Sequence, residues 1–331
     1  VTSSIFNVQT RADINGLEYQ PAGVIFAVEG TAYPGAPGAI LPITNDGTGW
    51  WAGFASGVIG GLENVADGLW GSIIISYEAS TIPMWPSVLQ GREYLVQAIL
   101  NYANGFYARF GFYPPIVLIG YSQGSMVTDL CFLYDFLAAP GGTDPDGIET
   151  GRLHHVLPFL YRSYQFGHVF RTPAIAHLNA KAGLPESITQ NGVESGGIGG
   201  VKDLTAEQTN TPAPDEQPIV QSAANHGDIY TCSPCGPDPQ NNIAPQGKTG
   251  VLFFKIVMQP TFADIVEAAE VLEHPIASIE EGLNAGTFFA EGPGAPHYQY
   301  YPQMLTCITD LVALGNSVAN ERKGRWSHRS S

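Results

Sequence analysis

The chain has 331 residues, 44% of them hydrophobic and 13% charged, with a formal net charge of −16, which gives ample apolar material for one large domain or two smaller ones. Only 14 Lys and Arg are present, too few for a basic surface; this excludes a nucleic-acid partner and suits a neutral or apolar substrate. No apolar run reaches the length of a membrane span, and the opening VTSSIFNVQT lacks the charged start and apolar core of a secretion signal, so a soluble chain is expected.

Four short β-rich runs stand at 22–28 (AGVIFAV), 72–77 (SIIISY), 116–120 (IVLIG) and, more weakly, 161–166, each bounded by Gly, Pro or Asp as buried parallel strands are. Between the second and third, Val88, Leu95, Ile99, Tyr102 and Phe106 form one stripe of an amphipathic helix over 87–110, with Pro86 where a helix start tolerates proline. Strand, helix and strand repeated in this way predict an α/β fold with a central parallel sheet flanked by helices. Residues 185–221, rich in Gly, Asn, Thr and Pro, read as a long surface excursion. Two helices are expected at 261–273 and 276–289, broken at Pro275, then a terminal helix at 301–318 and a solvated polar tail.

Ser122 lies in IGYSQGS, where the run IVLIG gives way to the helical pattern SMVTDLCFLYDFL. A serine between two glycines at a strand-to-helix turn has the setting of a nucleophile elbow: the strained turn exposes the hydroxyl and aims backbone N–H groups from the helix start. A serine needs a base and an orienting carboxylate, which in this fold class follow it in the order acid, then histidine. His274 lies in a break between two predicted helices and His328 in the charged tail, which leaves His297, in the loop EGPGAPHYQYYP, as the best late histidine. For the acid, Asp228 follows the apolar stretch PIVQSAA, with Asp238 in GPDPQ as runner-up. Cys232 and Cys235 form a lone C-x-x-C without a second pair, so free thiols or a local disulfide are expected in preference to zinc. No metal or organic cofactor is called for.

Several stretches together resemble the mycobacteriophage lysin B family, cutinase-like α/β-hydrolase esterases that cleave mycolic acids from arabinogalactan. They are EGTAYP after the first strand, PMWPSV at 83–88, GYSQG, GRLHHVL at 151–157, GDIYT at Asp228 and PHYQYYP at His297. The resemblance carries over a triad of Ser122, Asp228 and His297, with the backbone amides of Thr31 and Gln123 as the oxyanion hole. The expected layout is an N-terminal extension over 1–20, by which this chain differs from the family, a catalytic domain over 21–246 and 296–320, a helical linker or lid insertion over 247–295 where the family has one, and a polar tail over 321–331. Where the family has His-Gly-Thr-Gly, this chain has Glu29-Gly30-Thr31-Ala32; where it has Gly-Asn-Pro, this chain has Gly167-His168-Val169. A carboxylate beside the oxyanion site would oppose the developing negative charge, so Glu29 is expected to slow acylation unless it points away to pair with an arginine or contact the sugar.

The implied activity is a serine esterase acting on lipid esters of the mycobacterial envelope, made in a phage-infected host cytoplasm without a signal peptide and acting at the envelope. A different reading, a phage virion or tail component that uses this fold to bind or breach the envelope, would add virion proteins as partners. A catalytically silent lipid-binding module is the third reading, against which the intact Ser122, Asp228 and His297 argue.

Overall fold

The computed structural model describes residues 22–30, 54–75, 77–79, 84–186, 189–190, 192–235, 258 and 296–327. Five parallel strands form the central sheet: β1 (Val24–Val28), β2 (Gly71–Ile75), β3 (Ile116–Tyr121), β4 (Leu160–Phe166) and, after two short strands described below, β7 (Val220–Ser222). Their spatial order is β2-β1-β3-β4-β7. The order reverses at β1 and β3, and a sheet wound in both directions from such a point opens a crevice at the carboxyl ends of its strands.

Each apolar run is a strand because both of its faces are covered. Along β1, Val24, Phe26 and Val28 pack with Val88, Leu95 and Ile99 of α2 (Trp85–Phe110) and with Met126 and Val127 of α3 (Gln123–Leu130). Ile25 and Ala27 point the other way, toward Val58 and Leu62 of α1 (Phe54–Ala66) and Ile308 and Leu311 of the terminal helix. All five β1 side chains are fully buried, the period-two alternation of a strand between two helical layers. Helix α3 ends in a π-helical turn, Cys131–Leu137, anchored where Asp135 accepts from the buried Arg92 and from Arg152.

The predicted strands and the helix over 87–110 appear within one or two residues of their expected ends. The stretch 185–221 is more structured than a surface excursion. It holds β5 (Thr189–Gln190), β6 (Val193–Gly196) and a short helix, α5 (Ala206–Thr209), which follows α4 (His177–Lys181). With β8 (Ser233–Pro234), β5 and β6 form a small antiparallel sheet, and Ile198 and Leu204 are buried in the main core. The terminal helix, α6 (Tyr301–Ser327), runs past the expected end at 318 because the residues beyond it, rich in Arg, Lys, Glu and Ala, favour helix. The two helices expected at 261–273 and 276–289 lie outside the described residues. None of the described helices is long and apolar enough to cross a membrane.

Candidate active site

Ser122 sits between the last residue of β3 and the first of α3, with φ 53° and ψ −120°. A non-glycine residue there is strained, typically by about 1–3 kcal/mol, and it persists because the surroundings fix it. The Ser122 N–H donates to Phe166 O at 2.9 Å, and its carbonyl accepts from Ser125 N at 2.9 Å and Ser125 Oγ at 2.6 Å. Gly124 lets α3 press onto β1: a Cβ there would lie 2.2 Å from Val28 O. Ser122 is half-buried while Tyr121 and Gln123 on either side are buried, so the turn presents the serine and hides its neighbours.

Sixty-nine residues apart in sequence, Asp228 and His297 meet: His297 Nδ1 lies 2.9 Å from Asp228 Oδ2. Asp228 is fully buried and His297 nearly so. Burial works to raise the Asp228 pKa, but the facing imidazole, the hydrogen bonds from His297 and Tyr300 and the Tyr230 amide outweigh it and hold the carboxyl below the usual range. The Tyr300 hydroxyl donates to the same Oδ2 that faces His297, and Tyr230 N–H donates to Oδ1 at 2.9 Å. With Asp228 ionised, His297 carries its proton on Nδ1 and keeps Nε2 as an acceptor, the tautomer a general base requires.

The imidazole is held on three sides. The Tyr121 ring stacks against it at 5.3 Å between centroids, and the Tyr230 ring packs at 4.7 Å, tilted by 50°. Beneath it lies Gly167, at φ +58°, where a Cβ would come within 2.5 Å of His297 Cε1. Tyr121 OH also donates to His297 O at 3.1 Å. Asn225 Nδ2 donates to Pro296 O at 3.0 Å and to Gln299 O at 2.8 Å, tying the loop of Asp228 to the loop of His297. The pair therefore reaches Ser122 through a two-residue platform: Phe166 O takes the Ser122 amide, and Gly167 carries the histidine ring.

The structure thus brings Asp228 and His297 into contact and sets Ser122 on the same platform. The Gln123 amide is at the N-terminus of α3, where helix N–H groups are able to receive an anion. Thr31 and the alternative acid Asp238 lie outside the described residues. Glu29 is bound to the start of α1: its Oε1 accepts from Ser56 N at 2.7 Å and Ser56 Oγ at 2.6 Å, and its Oε2 accepts from Ala55 N at 3.2 Å. Its carboxylate thus caps the first turn of α1, a partner neither of the sequence expectations named. Cys131, Cys232, Cys235 and Cys307 are buried free thiols, and Cys232 Sγ donates to Asn225 O at 2.9 Å.

Three tyrosines of the site escaped the sequence reading, although each lies beside a residue it singled out: Tyr121 precedes Ser122, Tyr230 follows Asp228 by two and Tyr300 follows His297 by three. A separate cavity of about 400 Å³, lined by Arg162, Lys181, Asp215 and Asp310 among others, lies by the start of β4, away from Ser122. These four are paired, Arg162 with Asp215 and Lys181 with Asp310.

Among solved structures, the chain is similar to lysin B from mycobacteriophage D29, at 22% identity and a TM-score of 0.54, over 86% of this chain and 98% of that one. An acetylxylan esterase aligns with 72% of this chain and 99% of its own at 19% identity and a TM-score of 0.41. A cutinase-like protein from Cryptococcus sp. aligns with 72% and 95%, at 15% identity and a TM-score of 0.33. No family model and no curated protein matches the sequence. The likeness to lysin B, with the parallel sheet between helical layers, shows an α/β-hydrolase type of fold.

Proposed function

We propose that this chain is a serine carboxylic-ester hydrolase. The observation that carries the proposal is the arrangement of Ser122 in a strained strand-to-helix turn, on the same Phe166–Gly167 platform that carries a buried Asp228–His297 pair. In the reaction, Ser122 Oγ bonds to the ester carbonyl carbon as its proton passes to His297 Nε2. The Gln123 amide, with that of Thr31, would receive the oxyanion. Collapse of the intermediate breaks the bond to the alcohol, which leaves with the proton from His297. Water then adds to the acyl-enzyme, gives its proton to His297, and the carboxylic acid departs as Ser122 recovers the proton. Asp228 holds the tautomer and balances the imidazolium throughout.

The substrate we infer is a lipid ester of the mycobacterial envelope, a mycolic acid ester of arabinogalactan. Its support is the resemblance in PMWPSV, GYSQG and GDIYT together with the fold shared with a mycobacteriophage lysin B. The acidic balance of the chain agrees with an uncharged acyl substrate. In this reading the protein is made in a phage-infected cell and acts at that cell's envelope.

The test uses p-nitrophenyl esters of short and long acyl chains and purified mycolyl-arabinogalactan. The wild type should hydrolyse the chromogenic esters and release free mycolic acid, and Ser122→Ala should lower kcat by about 10³-fold or more while its unfolding midpoint stays close to wild type. Retention of more than a tenth of the activity by Ser122→Ala would remove the serine mechanism. Turnover of small esters without mycolate release would leave the esterase and discard the envelope substrate.

A further inference from the structure

Behind the platform lies a second chain of polar groups that the proposed reaction does not use. His168 follows Gly167 directly and is fully buried; its Nε2 lies 2.7 Å from Asp129 Oδ2 on α3, and its Nδ1 lies 2.8 Å from Ser222 Oγ at the end of β7. Asp129 and Ser222 are also fully buried, so no substrate reaches this Asp-His-Ser set. Asp129 Oδ1 has no hydrogen-bond partner, which leaves His168 as the contact that satisfies the carboxylate. Burial drives the Asp129 pKa up, against the pull of His168.

A buried charged or polar pair is weak evidence for stability, since well-packed apolar residues of the same volume often serve as well or better. Its geometry suggests another role. The segment 166–169 carries Ser122 through Phe166 O and His297 through Gly167, and it is held at its far end where Val169 N donates to Ser125 Oγ at 3.2 Å. Between those points, His168 is clamped from both sides, by the nucleophile's own helix and by the strand that leads to Asp228. Displacement of a catalytic group by about 1 Å is enough to cost about 10²-fold in rate.

We propose that His168, bridged between Asp129 and Ser222, is a positioning residue that sets the height of the Gly167 backbone under the His297 imidazole, and so the alignment of His297 with Ser122. The inference rests on the esterase reading for its kinetic test and has a second readout that does not depend on turnover.

Asp129→Leu replaces the carboxylate by an apolar side chain of similar size and breaks the bridge. Asp129→Asn keeps it, because the amide donates to Nε2 and the imidazole then donates from Nδ1 to Ser222. On a soluble short-chain ester, Asp129→Leu should lower kcat about tenfold or more with KM within about twofold, and Asp129→Asn should stay within about threefold of wild type. Ser222→Ala, which removes one hydroxyl, should fall between them and provides the test if Asp129→Leu does not fold. Independently, the downfield proton resonance of His297 Nδ1–H, which reports its bond to Asp228, should shift or broaden in Asp129→Leu and Ser222→Ala and remain in Asp129→Asn.

Folded Asp129→Leu and Ser222→Ala proteins with wild-type kcat and an unmoved resonance would overturn the positioning role. Equal loss in Asp129→Leu and Asp129→Asn would do the same, since a bridged variant should be spared. A wild type that turns over no ester yet shows the resonance change would instead defeat the esterase reading and leave the bridge standing.

Discussion

Glu29 and Ser56, 27 residues apart in sequence, are joined twice: one carboxylate oxygen accepts both the backbone N–H of Ser56 and its hydroxyl. The charge that the sequence sets beside the oxyanion site is engaged instead with the positive end of α1. Glu29→Gln removes the charge and keeps the shape. It should lower stability by about 0.5–1.5 kcal/mol through loss of the charged cap, and should not speed acylation of a small ester. Chemical denaturation and pre-steady-state acylation rates check the two halves; a faster variant of unchanged stability would return the carboxylate to the oxyanion site.

Ser122→Gly separates strain from chemistry. Glycine adopts φ 53° without the penalty a serine meets there, so this variant should gain about 1 kcal/mol in unfolding free energy while losing ester hydrolysis. An unfolding curve shifted toward lower denaturant would show that the turn stores no strain.

Gly167→Ala tests the platform directly. The added methyl would meet His297 Cε1 at 2.5 Å on a backbone at φ +58°. Both the ring and the chain beneath it must then move. The expected result is a fall in kcat of about 10²-fold, larger than the fall in stability explains. Full activity in the variant would show that His297 does not rest on this glycine.

Asp228 and Asp203 bracket the acid behaviour of the fold with opposite signs. The Asp228 pKa is depressed in the folded chain, so its contribution is fully present above the unfolded value of about 3.9 and is lost as pH falls through the folded value. Tyr300→Phe removes one of the hydrogen bonds that lower it, and should move that acid loss to higher pH. Denaturation midpoints from about pH 2 to 5, which span the unfolded carboxylate value, measure the shift; superimposable curves would rule it out.

Asp203 is buried near Arg171 and the Gly197 and Gly200 amides, which work to lower its pKa, but burial outweighs them and raises it well above the usual range. A raised folded pKa contributes stability below about pH 3.9 that is lost as pH rises through the folded value. Asp203→Asn, neutral at every pH, should therefore stabilise the protein near pH 8 relative to wild type, with a gain that shrinks toward pH 4. A constant difference across that range would contradict the assignment.

The strands that build the crevice were legible because a parallel strand covered on both faces is a continuous apolar run, as in Val24–Val28 and Ile116–Tyr121. Ser122 was legible for a local reason, since its flanking glycines and the change from strand to helix pattern are all within a few residues. Asp228 and His297 followed from chain order and from the resemblance in their surrounding motifs. The tyrosines around His297 were not read, because what gives Tyr300 its role is a carboxylate 72 residues away. The Asp129–His168–Ser222 bridge likewise joins three elements that no spacing connects. The small β5-β6-β8 sheet was missed because strands of two to four residues are too short to show a period.

The two hydrogen bonds from Asn225 to Pro296 O and Gln299 O have a consequence for how the chain folds. They join residues 71 and 74 positions apart, so the loop of Asp228 and the loop of His297 become one unit only when the chain between them has closed. Closing a loop of that length costs little more than closing a shorter one, because the entropic cost grows only with the logarithm of the length. The registration of Asp228 with His297 thus depends on the contacts at the two ends of the loop and only weakly on the number of residues within it.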